Sequence, residues 1–426
     1  MLGFTYRRTR KLVIWSIPLF YALIAIGLGY FIPNAEFLIL SAPGSRISVQ
    51  VAIEILSAIG QGMLALTAIV FSIMFIQVQF GSSAYSPRLV GFFTRDRVIL
   101  NALGVFIGTF LFALVSLSFV DQRGSGAVPY YTVLTAFLFL FISIIMFTAL
   151  IQRLSYLQVT NVLNRIGRMG QQAVLNVYSQ RAGTANASVS EQFSQLPVTQ
   201  ELLYHGDPLL LVDINLPLLV RLAQHSEAVI NVRYAIGDFI QEGATLLRLH
   251  GASRKIWNTN LRRAFTVGSE QDIYSDPKYA IRLLVDIAIK ALSPAINDPT
   301  TAVQALNQIE GLLVSLGNAK LETGRLYDKQ GELRVVYPSP SWHDFINLGL
   351  GEIFQFGKHS MQVLRRLGAL IDDLEERVPR ERRPAVRLQR QRLLAAIEQN
   401  FPDELDQQLA SRVDRQGLGI SRDMDA

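Results

Sequence analysis

The chain has no cysteine among its 426 residues, which excludes disulfides, thiolate nucleophiles and thiolate-bound metals together. Its five histidines, His205, His225, His250, His343 and His359, are scattered, without the i, i+4 pairing of a helix-borne HExxH zinc site. No GxxxxGK[ST] phosphate loop, no GxGxxG after a strand and no GxSxG elbow occurs, so no enzyme motif is at hand and no cofactor is expected. YHGD at 204 to 207 puts His205 near Asp207 and reads as a turn rather than a catalytic pair. Charge is sparse as well. Only 17% of residues are charged while half are apolar, a balance too apolar for a purely water-soluble protein.

The formal charge is +6, yet the basic residues are dispersed and no stripe interleaves them with aromatics. Nucleic acid is therefore not an expected partner, and the excess reads as membrane topology. Nearly all long uncharged runs fall before residue 153. Four of them, 12 to 32, 51 to 78, 98 to 120 and 130 to 151, reach the roughly 20 residues a helix needs to cross a bilayer core. The first follows a basic run, Arg7, Arg8, Arg10 and Lys11, and lacks a small-residue cleavage site, so it reads as a retained anchor.

Basic residues concentrate on one side: the N-terminus, the loop with Arg88, Arg95 and Arg97, and the exit with Arg153, Arg165 and Arg168. The opposite loops offer only Arg46 and Arg123. Both termini are expected in the cytoplasm. In the loop GSSAYSPRLVGFFTRDR, 81 to 97, Ser86 and Pro87 suit the start of a short interfacial helix whose Arg88, Arg95 and Arg97 meet anionic lipid; a plain basic topology loop is the alternative.

Two features stand out inside the spans. GVFIG puts Gly104 and Gly108 on one helix face, which suits close packing within the chain or between copies. Glu54, Ser57 and Gln61, three and four apart, make one face of the second span polar. Either they line a pore or vestibule, or Glu54 snorkels to the headgroups while Gln61 bonds a neighbouring helix.

The remainder is more polar. Residues 153 to 200 read as a helical stalk and a turn-rich linker. Residues 201 to 267 read as a small β module of short aliphatic runs, PLLLVDI at 208, LPLLVRLA at 216, AVINVRY at 228 and a stretch ending in TLLRL at 249, with turns at Gly237-Asp238 and Gly243. The GDFIQEG pattern resembles half of a biotinyl or lipoyl barrel without the acceptor lysine, so a small barrel is expected and carrier chemistry is not. Residues 268 to 426 read as mainly helical with one hairpin at YDKQGE, 327 to 332. One helix spans about 278 to 292, with Asp286 and Lys290 placed to pair. The basic run ERRPAVRLQRQ, 381 to 391, reads as a solvated helix face, or else as a surface for acidic lipid or a partner.

ALSPAINDPTTA, 291 to 302, joins that helix to the next. Ser293-Pro294 stops one helix, Asp298 caps the next with Pro299 at its first position, and Asn297 supports the turn. Asn297, Asp298 and Thr300 are also the candidates for contact with a ligand or a neighbouring subunit.

SSAYSPRLVGFFTRDRVILNALGVFIGTF together with LVDIAIKALSPAINDPTTAVQAL resembles the domain-of-unknown-function 2254 family of bacterial membrane proteins. The resemblance implies a multispan protein of the bacterial inner membrane with a cytosolic domain, and carries no activity with it. The overall expectation is a membrane α-helical domain of four transmembrane helices, residues 1 to 152, followed by a cytosolic α+β region. Its expected role is a conduit for ions or small solutes formed among copies, without enzymatic activity; the alternative is a non-conducting sensor or scaffold whose cytosolic domain binds a protein partner or small ligand.

Overall fold

The structure is a computed structural model that describes residues 4–6, 12–39, 48–80, 97–120, 130–154, 158–178, 195–321 and 324–419. The chain divides into two compact units, Arg10–Gln158 and Met1–Thr9 with Val159–Ala426.

The first unit holds four helices, α1 (Leu12–Ile39), α2 (Val49–Phe80), α3 (Arg97–Leu117) and α4 (Tyr130–Leu154). Each contains a window long and apolar enough to cross a membrane. α3 packs against the other three, and its Phe106 and Phe112 are fully buried. Gly104 and Gly108 explain how α1 comes so close. A Cβ on Gly104 would lie 2.6 Å from the Tyr21 ring and one on Gly108 3.5 Å from the Ala25 Cβ, so the small-residue face packs within the chain. Glu36 of α1 accepts hydrogen bonds from the Tyr131 and Thr132 amides at 2.9 and 3.2 Å. It thereby satisfies orphan donors at the start of α4 and places a negative charge at that helix's positive end.

The second unit opens at its N-terminal strand, β1 (Thr5–Tyr6), and continues after the spans with α5 (Val159–Tyr178), β2 (Val198–Leu203), β3 (Leu209–Ile214), α6 (Leu216–His225), β4 (Val229–Val232), β5 (Phe239–Ile240), β6 (Thr245–His250), α7 (Asn258–Arg262) and β7 (Phe265–Gly268). α8 (Pro277–Ala291), α9 (Pro299–Asn318), β8 (Arg325–Tyr327), β9 (Leu333–Val336), α10 (Trp342–Gly357), α11 (Met361–Arg377), α12 (Arg383–Asn400) and α13 (Glu404–Ser411) complete it.

The strands form two sheets, ordered β1-β7-β3-β5 and β2-β6-β4-β9-β8. Their shared core includes Leu211, Leu247, Leu249 and Phe265, all fully buried. The expected barrel is not closed: each described sheet keeps two edge strands. β9 arrives from the distant 325–336 hairpin and pairs parallel to β4, with Ile230 opposite Val335, so it occupies the side of β4 that a local closure would need. A second correction concerns 216 to 223, expected as a strand and found as α6. The Asn215 side chain accepts the Leu218 amide at 3.0 Å and proline occupies the first turn, while Leu216, Leu219 and Ala223 fall on one buried face at helical spacing.

The helical layer is centred on α9, which packs against α5, α8, α10 and α11. Asp286 is engaged by Arg282, whose Nη2 lies 2.5 Å from its carboxylate. Arg282 also holds Glu352 of α10, and this hydrogen bond keeps the Glu352 carboxyl below its usual range. In the basic run, Arg382 donates to the Leu316, Gly317 and Ala319 carbonyls at 2.6 to 2.8 Å and closes the C-terminal end of α9. Arg387 and Arg390 pair with Glu375, and Arg390 also with Asp372. Much of this run's charge is therefore answered within the fold.

Candidate functional site

α2 places Glu54 and Gln61 on the outside of the four-helix unit. Glu54 and Gln61 are exposed, Ser57 half-buried, and the exposed residues Ala58, Ala65, Ala68 and Ser72 share their helix face. At 100° per residue, Glu54, Ala58, Gln61, Ala65, Ala68 and Ser72 lie within about 40° of one line, which runs about 27 Å at 1.5 Å per residue. Leu64, Ile69 and Phe75, all exposed, flank it. Gln50 donates from one turn earlier to Glu54 at 3.4 Å, and an added Cβ on Gly62 would meet nothing within 4 Å.

The interior of this unit has a different character. Its buried polar side chains among the described residues are the hydroxyls of Thr67, Thr109, Ser116, Thr132 and Ser143. Thr109 and Ser143 hydrogen-bond each other at 3.2 Å. The four-helix interior therefore offers no buried carboxylate or amide among the described residues, and Glu54 and Gln61 are exposed.

The 291–302 segment is a capped turn. The Asp298 carboxylate accepts the Thr301 amide at 3.1 Å and the Thr301 hydroxyl at 2.6 Å, with Pro299 opening α9. The Asn297 and Asp298 amides donate back to the Ser293 and Ala291 carbonyls, each at 2.8 Å. Asn297 sits at φ 47°, in the left-handed region that asparagine tolerates better than most residues. Thr300 and Asn297 are exposed and Asp298 half-buried. Arg97 is exposed in the first turn of α3, whereas Arg88 and Arg95 lie outside the described residues.

One cleft in the second unit escaped the sequence reading. It has a volume of about 220 Å³ and is lined by residues that include Tyr178, Asp213, Tyr274, Asp276, Lys278 and Tyr337. Asp276 caps α8 by accepting the Lys278 amide at 3.0 Å. Lys278 Nζ lies 3.9 Å from that carboxylate and donates to the Ile236 carbonyl at 2.9 Å. Burial raises the Asp276 pKa to about 6, against the opposing pull of Lys278 and two backbone amides, and Asp238 adds to the rise. A cleft with aromatic walls and a perturbed carboxylate has the makings of a small-ligand site. The sequence signal for it was the Asp-Pro step at 276 to 277; its other walls come from segments remote in sequence. No group of three or more histidine, aspartate or glutamate side chains converges as a metal site among the described residues.

The chain is 26% identical over 413 residues to uncharacterized proteins of Mycobacterium bovis and of Mycobacterium tuberculosis, matches that cover 92% of this chain and 78% of theirs. No solved structure matches it. Residues 12–373 match the sequence profile of the predicted membrane proteins of domain of unknown function 2254, and the chain belongs to that family.

Proposed function

We propose that the protein is an oligomeric conduit for ions or small solutes in the bacterial inner membrane, with α2 of each copy facing its neighbours across a shared path. The observation that carries this is the outward position of Glu54 and Gln61. Gln61 lies about 10 Å along the helix from Glu54, well inside the span, and an amide or carboxylate facing lipid there is costly. A second copy removes the cost, and the small residues between them permit close approach. An apolar four-helix interior supports a path among copies over one within a chain.

Both termini are assigned to the cytoplasm. β1 pairs with β7, so residues on both sides of the four spans share one folded unit, as an even number of crossings requires; the basic loops then point that unit inward. The soluble unit regulates the path and carries no enzymatic role. The cleft at Asp276 favours a second reading, a non-conducting sensor that binds a small ligand there.

Flux in vesicles reconstituted with the purified full chain separates the two. The conduit requires flux in the wild type and its loss in the Glu54→Leu, Gln61→Leu double variant at equal incorporation. Absence of wild-type flux, or flux unchanged in the variant, overturns it.

A further inference from the structure

The four helices of the first unit contain few charged residues, and those few are sorted by end. Glu36 stands in the last turn of α1 and Glu54 in the second turn of α2, whereas Arg97 opens α3 and Arg153 stands in the last turn of α4. From Glu54 to the end of α2, where the chain turns toward α3, is about 39 Å along the helix axis. That is several times the roughly 8 Å over which exposed charges act through physiological salt. The basic end therefore leaves the acidic end uncompensated.

The two acids differ in what they do. The Glu36 carboxylate is half-buried and accepts the Tyr131 and Thr132 amides and the Thr132 hydroxyl, the last at 3.3 Å, so its charge is spent on the start of α4. Glu54 is exposed, and among the described residues its one hydrogen bond comes from Gln50 at 3.4 Å and no ion pair reaches it. Every other side chain on its line, Ala58, Gln61, Ala65, Ala68 and Ser72, is neutral.

One local effect opposes Glu54. The amino end of α2 carries roughly half a positive charge, as any helix start does. The Ser48 hydroxyl takes up part of it by accepting the Val51 amide at 3.3 Å. Glu54 carries a full negative charge about one turn further in and outweighs the remainder. The stripe thus enters the span through a carboxylate and continues through neutral groups.

We infer that the path passes inorganic cations and turns back anions, with Glu54 as the group that discriminates; this rests on the conduit reading proposed above. Copies arranged about an axis each contribute one Glu54 at the same depth, so the carboxylates form a ring. Such a ring concentrates cations at the mouth and repels anions there. A cation that has passed it meets the Gln61 amide oxygen about 10 Å further along the helix, an uncharged group that binds an ion weakly enough to release it.

The test is the reversal potential of the purified full chain in a planar bilayer of phosphatidylcholine under a potassium chloride gradient. It reports the ratio of potassium to chloride permeability whatever the number of conducting assemblies, and a neutral lipid adds no surface charge of its own. The wild type should favour potassium by about tenfold or more, the lower range of what a charged, walled mouth does to local ion concentration. Glu54→Gln should lower that ratio at least about fivefold, and Glu54→Asp, which keeps the charge, should preserve it. Glu36→Gln, which removes the other acid at this end, should leave the ratio unchanged. A wild-type ratio near one overturns the inference, and so does a preference for chloride, which the loop residues Arg46 and Arg123 at this end would produce. A ratio unaltered in Glu54→Gln also overturns it and assigns Glu54 to the headgroup zone. Each of these outcomes leaves the conduit itself standing, whereas a wild type that carries no current removes the conduit and its selectivity together.

Discussion

Asp298 and Asp276 both cap helices, Asp298 at the start of α9 and Asp276 at the start of α8. Asp298 is half-buried and offers its oxygens to the Thr301 amide and hydroxyl, so Asp298→Ala should cost about 1 kcal/mol in denaturant unfolding and leave flux intact. Loss of flux with normal stability would instead make Asn297, Asp298 and Thr300 a functional contact. Asp276 is buried and holds its proton up to about pH 6, against 3.8 for an ordinary aspartate. The unfolded chain has already released that proton, so in this window the folded state binds more protons and stability falls as pH rises. The loss accumulates between about pH 4 and pH 6, amounts to roughly 2 to 3 kcal/mol, and is constant above. Asp276→Asn keeps a capping oxygen and removes the charge. Its unfolding free energy should lose that slope between pH 4 and 6, and an unchanged slope would assign the pH dependence elsewhere.

At the scale of elements, α2 carries the functional claim and also shows what a sequence can reveal. The spans were legible because uncharged runs of bilayer length have few other uses. Gly104 and Gly108 were legible as a packing face, and the Asp298-Pro299 step as a helix start, because both signals are local. α6 was misread because a short aliphatic run suits strand or helix; Asn215 and Pro217 were the signals that decide between them. Asp286 has basic residues four positions away on either side, and Arg282 pairs with it while also meeting Glu352 from α10, the latter a tertiary contact invisible in local spacing. The pairing of β9 with β4 and the reach of Glu36 to Tyr131 join residues about a hundred apart, beyond any pattern of period 2 or 3.6. The polar face at Glu54 and Gln61 was legible; its outward direction was not, because direction depends on which faces the other helices cover. With that direction known, Ala68→Cys in membranes should form a disulfide-linked dimer under mild oxidation, and Leu23→Cys, on the exposed face of α1, should not. Equal crosslinking at both positions would mean that α2 is no preferred contact.

At the scale of the molecule, four apolar spans are joined to a second unit that is the larger of the two, and so few spans are the reason the proposed path is placed among copies. The outward polar stripe, the hydroxyl-only polar interior and the shared fold of N-terminal strand and C-terminal region are compatible with copies arranged around an axis, each presenting α2. The central claim is that this stripe meets water in the assembled protein. The most direct measurement is the reaction of Gln61→Cys and Ala65→Cys with a charged, membrane-impermeant thiol reagent during flux through reconstituted vesicles, since the parent chain has no cysteine to react. Modification of both positions with a fall in flux is the predicted result. Cysteines at both positions that stay inert while the parent chain conducts would contradict it.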